Sequence, residues 1–124
     1  MTIQKWAWTF GIVFVLIGIL GFIPGITMNG HLLGIFYVDT AHNVVHLLSG
    51  IIALWVAVTS TNAARMYFRI FGIIYGVIMI LGFIQNSDTV LGLIANNMAD
   101  NFLHLVIAAL SLWIGFGMKD QSNA

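Results

Sequence analysis

Apolar residues run through this chain in four long blocks, at about Lys5–Ile23, Ala41–Ser60, Phe68–Gln85 and Ala99–Lys119, separated by polar breaks. Each block holds close to the ~20 residues that carry a helix across a ~30 Å hydrocarbon core. The pattern then repeats. Leu33-Gly34 through Trp55 aligns without a gap on Leu91-Gly92 through Trp113, placing Asn43, His46, Leu54 and Trp55 on Asn101, His104, Leu112 and Trp113. Ahead of it, Phe10-Gly11-Ile12 matches Phe71-Gly72-Ile73, and Ile19 to Ile23 matches Ile80 to Ile84. The expected architecture is an all-α, four-transmembrane-helix bundle made of two tandem helical hairpins, with repeat one at about residues 5–60 and repeat two at about 66–119. Both hairpins start on the same side, so they are parallel repeats about an axis along the membrane normal. The whole chain, 1–124, reads as a single integral membrane domain.

Composition agrees. Residues are 60% hydrophobic and 6% charged, where a soluble domain carries roughly a quarter charged. The first block could pass for a signal peptide, but it lacks a small-x-small cleavage site and recurs as the third block, so it reads as a retained helix. There is no cysteine, which removes disulfides and thiolate ligands. A net charge of zero argues against a nucleic-acid partner. The basic residues Lys5, Arg65, Arg69 and Lys119 all fall on one side, which the positive-inside rule makes cytoplasmic, with both termini inside. Trp6, Trp8, Trp55 and Trp113 gather toward that boundary as interfacial anchors.

Between the second and third blocks, Thr59 to Arg65 reads as a short polar turn. The outer loops carry apolar stretches, Leu32 to Phe36 and Val90 to Ile94, that suggest interfacial or partly re-entrant pieces with an internally bonded backbone. Small residues recur at packing spacing: Gly72 and Gly76 in span three; Ser49, Ala53 and Ala57 in span two; Ser111 and Gly115 in span four. They serve helix packing within the bundle or a homo-oligomer contact.

The candidate chemistry sits where spans two and four begin. His42 and His46 are four apart and share a helix face, as do Asp100 and His104. In the repeat register, Asp100 stands where His42 stands. If spans two and four face each other, His42, His46, Asp100 and His104 converge near the outer boundary, a donor set suited to zinc, iron, nickel or manganese. Haem is a further alternative, with His46 and His104 as axial ligands. The plainer alternative is structural. Asp39 and Asn97 are natural N-caps, and Asp100 is a first-turn acid. His46 and His104, one turn deeper, would then bond Asn43, Asn101 or each other as a polar latch. His31 lies in the outer loop as a possible fifth ligand or a solvated side chain. No catalytic set is assigned, for no nucleophile motif accompanies the histidines.

Several stretches carry a resemblance: Gly21 to Gly25, Gly30 to Phe36, His42-Asn43-Val44-Val45-His46, Phe71 to Gly76, and Asp100-Asn101-Phe102-Leu103-His104. Together they resemble a family of small four-span bacterial membrane proteins, the domain of unknown function numbered 4383. The resemblance implies four helices and the bacterial inner membrane, and it implies no activity. The leading expectation is a non-enzymatic accessory or scaffold component of a membrane assembly, with the latch tying spans two and four together. The alternative is a metal- or haem-binding membrane protein.

Overall fold

The computed structural model describes residues 1–119. It is mostly helical: α1 Ile3–Leu20, α2 Thr40–Thr59, α3 Thr61–Gln85 and α4 Met98–Leu112, the last continued by a π-helical turn, Trp113–Gly117. Four helices are long and apolar enough to cross a membrane, so the chain is a multi-pass membrane protein. Their outward faces carry large exposed apolar side chains such as Trp55, Ile84 and Phe102, as lipid contact requires and water would not tolerate.

α1 packs along α2, and α3 along α4, each as an antiparallel pair. Glycine makes the close approach possible. A Cβ on Gly11 would stand 2.5 Å from Leu54 Cδ2, and one on Gly72 would stand 2.7 Å from Leu112 Cδ2. The small-residue faces of span two (Ser49, Ala53, Ala57) are likewise buried inside the bundle. Between the helices lies a core of Phe10, Phe14, Phe68, Tyr75, Ile107 and Ile114, stitched by edge contacts such as Phe10 on Phe68, ring centres 4.9 Å apart.

One sequence expectation needs correction. The polar turn expected over Thr59 to Arg65 is a single non-helical residue, Ser60. Its hydroxyl accepts the Ala63 N–H at 3.0 Å, so it caps α3 while ending α2. The helix then runs from Thr61 through Asn62, Ala63 and Ala64, where two alanines, strong helix formers, follow the polar Thr61 and Asn62. The outer loops, expected as interfacial or partly re-entrant pieces with an internally bonded backbone, fold as small antiparallel sheets. β1 (Thr27–Met28), β2 (His31–Leu32) and β3 (Phe36–Tyr37) form one sheet, and β4 (Thr89–Val90) and β5 (Ile94–Ala95) form the other. β2 pairs with β3 as His31 with Tyr37 and Leu32 with Phe36; β4 pairs with β5 as Thr89 with Ala95 and Val90 with Ile94. Both hairpins turn through Leu-Gly with positive φ, 55° and 73° at Leu33 and Gly34, 57° and 68° at Leu91 and Gly92. Left-handed φ at two successive residues closes a tight turn in each three-residue loop, Ile35 N–H on Leu32 O at 3.0 Å and Leu93 N–H on Val90 O at 3.1 Å, and pairing within the sheet meets the backbone demand.

At the opposite end, the π-turn closes with Met118 N–H on Trp113 O at 3.1 Å. Arg69 Nε donates to Gly115 O at 2.7 Å, and Arg65 Nη1 donates to Met118 O at 2.8 Å and Gly115 O at 3.1 Å. Two cations thus satisfy carbonyls at a helix C-terminus, where the dipole favours positive charge.

Candidate metal centre

Each histidine is placed by a cap and a helix. Asp39 accepts the His42 N–H at 2.8 Å and starts α2; its second oxygen accepts the Ala95 N–H of β5 at 3.1 Å. His42, on the first turn of α2, donates Nδ1–H to the Ala95 carbonyl at 2.8 Å. A carbonyl can only accept, so Nδ1 carries the proton and Nε2 keeps a free lone pair. His46 follows one turn deeper, its ring centre 4.4 Å from that of His42. From α4, His104 brings its ring centre to 5.7 Å from His42.

Each of the three imidazoles offers a nitrogen, and these atoms all lie within 4.8 Å of one another. All three rings are buried, each 2–3% exposed. Among the described residues, neither nitrogen of His46 has a hydrogen-bond partner, nor has Nδ1 of His104. Phe14 and Tyr75 seat the rings of His46 and His104 at 5.7 and 5.5 Å between centres. The pocket lined by His42, His46, His104, Tyr75 and Ile94 has a volume of about 10 Å³, room for a single water-sized species.

Asp100 serves elsewhere. Its Oδ2 accepts the Asn97 N–H at 3.0 Å while Asn97 Oδ1 accepts the Asp100 N–H at 2.9 Å, a reciprocal capping box. Asn97 Nδ2 also donates to Ile35 O at 2.9 Å, reaching the loop of the first hairpin. His31 stands apart, stacked on Tyr37 at 5.1 Å with Nδ1 near Asn29 O.

The two asparagines expected to serve a latch do not meet the histidines. Asn43 fills the space beside Gly21, and Asn101 the space beside Gly82. Asn101 Oδ1 accepts from Asn96 Nδ2 at 2.9 Å. Each asparagine is one position on from its ligand candidate's face, about 100° around the helix, and so meets the partner helix of its own hairpin.

Over residues 4–117 the chain matches the family model described as Domain of unknown function (DUF4383). The chain belongs to the DUF4383 family. No curated protein and no solved structure shows significant similarity to it. In this DUF4383 chain, sequence reasoning missed the tyrosines. Tyr67 donates its hydroxyl to Ser49 O at 3.0 Å, and the Tyr75 hydroxyl lies 3.2 Å from Ser49 Oγ. Ser49 itself bonds back to Val45 O at 2.6 Å. A phenol in the middle of an apolar span needs a partner, and that was the available signal.

Proposed function

We propose that this chain is a small bacterial cytoplasmic-membrane protein that binds one transition-metal ion through His42, His46 and His104, so joining α2 to α4 near the outer face. The observation that carries this reading is His46: a buried imidazole with both nitrogens unpartnered, facing two further imidazoles. Buried polar nitrogens are rarely left without partners, and leaving one so costs about 1–3 kcal/mol. A bound cation would take one nitrogen from each of the three imidazoles and so meet part of that demand. Imidazole donors favour zinc or a neighbouring transition metal over calcium or magnesium. The His42–Ala95 bond fits the way a second partner orients a ligating histidine. A cavity of about 10 Å³ favours a lone ion over a tetrapyrrole, and Asp100, engaged by its cap, is a neighbour of the site more than a ligand.

The same reading takes the chain as two tandem parallel hairpins with both termini in the cytoplasm. Matching strand registers, matching positive-φ pairs and the paired Asn–Gly contacts support the repeat. Lys5, Arg65, Arg69 and Lys119 at one end support the orientation. The role is an accessory one, with no catalytic group assigned.

The test is elemental analysis by plasma mass spectrometry on detergent-purified protein beside a His46→Ala/His104→Ala double variant. Near-stoichiometric zinc, iron, nickel or manganese, absent from the variant, is the expected result. No metal in either sample, with thermal stability indifferent to chelator, would return the cluster to a structural role.

A further inference from the structure

What surrounds the three histidines bears on which ion they suit. Their ligand atoms, all within 4.8 Å of one another, form a set that includes no carboxylate among the described residues. The two nearby acids are engaged as caps. Asp39 accepts the His42 N–H through one oxygen and the Ala95 N–H through the other, and Asp100 accepts the Asn97 N–H. The pocket's other walls are Val45, Ile78, Ile94 and Tyr75. Of these four side chains only Tyr75 carries an oxygen, and its hydroxyl is held 3.2 Å from Ser49 Oγ.

Two limits follow. One is coordination number. At about 10 Å³ the pocket takes one water-sized species, and an ion seated among the imidazoles uses that room. Zinc completes its set at four, with a fourth side chain or a water, and the pocket walls supply neither the donor nor the space. The other limit is charge. The penalty for burying an ion grows with the square of its charge, so a divalent ion costs about four times as much as a monovalent one of the same size. Neutral imidazoles return no negative charge to offset it.

We infer that the site selects copper(I) over zinc. Copper(I) is monovalent, accepts imidazole nitrogen and is satisfied by three ligands in a plane. This inference rests on the three-histidine reading above and narrows it.

Competition between the two ions tests it. The detergent-purified chain is stripped with chelator, offered equimolar copper(I) and zinc without oxygen, desalted, and analysed for both elements. Protein purified in air meets copper only in its oxidised form, so the metal it carries does not report the preference. The expected result is about one copper per chain, with zinc at about a tenth of that or less. X-ray absorption at the copper edge should show three nitrogen neighbours and no fourth ligand. Ile94→Ala, which opens one wall to a metal-bound water, should raise the zinc-to-copper ratio about tenfold or more. A fourth ligand on copper, an unchanged ratio in folded Ile94→Ala, or copper held equally by the His46→Ala/His104→Ala variant would overturn the inference. Zinc bound at or above the level of copper would overturn it too, while leaving the three-histidine reading in place. Retention of neither ion would sink both. Should Ile94→Ala fail to fold, the native chain's competition and absorption spectrum decide the matter.

Discussion

His42 of α2 gives its Nδ1–H to the carbonyl oxygen of Ala95 in β5, 2.8 Å away, so a side chain of the first hairpin is held by backbone of the second. Asp39 completes the clasp by accepting the Ala95 N–H. One peptide segment thus fixes both the start of α2 and the orientation of its first imidazole.

Removing that imidazole exposes the bond's worth. His42→Ala leaves the Ala95 carbonyl without its donor, at an expected cost of about 1–3 kcal/mol. Chemical denaturation in detergent micelles measures it. Bound metal should fall in the same variant, and unchanged stability and metal content would contradict both roles of His42.

Asp100 behaves differently. Asp100→Ala breaks the capping box with Asn97 and should cost about 0.5–2 kcal/mol. Metal content, read on the folded fraction, should stay at the native level. A variant that folds normally yet loses its metal would make Asp100 a ligand.

Two glycines one turn apart on α3 should respond in opposite ways. At Gly72 a new Cβ would stand 2.7 Å from Leu112 Cδ2 and 3.0 Å from its backbone nitrogen, whereas at Gly76 the nearest atom is Ala108 Cβ at 3.9 Å. Gly72→Ala should destabilise by about 1–3 kcal/mol. Gly76→Ala should be neutral or stabilise by up to about 1 kcal/mol through helix propensity. Paired melting curves settle the comparison, and equal shifts would mean that α3 and α4 do not pack as described.

The end of α4 depends on Arg69. Arg69→Met removes the Nε donor to Gly115 O and the charge over the Phe116 ring at 4.9 Å. The expected loss is about 1.5–3 kcal/mol for a charge-assisted bond, softened because Arg65 also reaches Gly115 O. Hydrogen exchange should quicken at Trp113–Gly117 and stay slow at His104. Uniform protection would mean that the π-turn stands without the cation.

How much of this was legible in the residues follows from their chemistry. The spans could be read because lipid imposes a length and an apolar composition on every crossing helix. The caps at Asp39 and Asn97 could be read because an Asp or Asn before an apolar run has a local purpose. The histidine faces followed from i, i+4 spacing alone. The asparagines misled, since one step along a helix turns a side chain to another neighbour: Asn43 meets Gly21 and Asn101 meets Gly82. The outer sheets were hidden because each strand is two residues long, too short for alternation to show. Their Leu-Gly turns also replace the Asn-Gly that usually announces a tight hairpin. The reach of Tyr67 and Tyr75 to Ser49 is tertiary, and no local pattern encodes it.

Ser60 sets the mechanics of the assembly. With one non-helical residue between α2 and α3, the adjoining ends of those helices cannot part without unwinding a turn. The hairpin loops tie α1 to α2 and α3 to α4 at the other face. Going round the four helices, three boundaries are tethered by chain, and the fourth, between α4 and α1, is not. The bundle is a split ring, and changes in bilayer thickness or lateral pressure should be absorbed at that one gap. Spin-label distances across α1 and α4 should broaden as lipid chains lengthen, while those across α2 and α3 hold still.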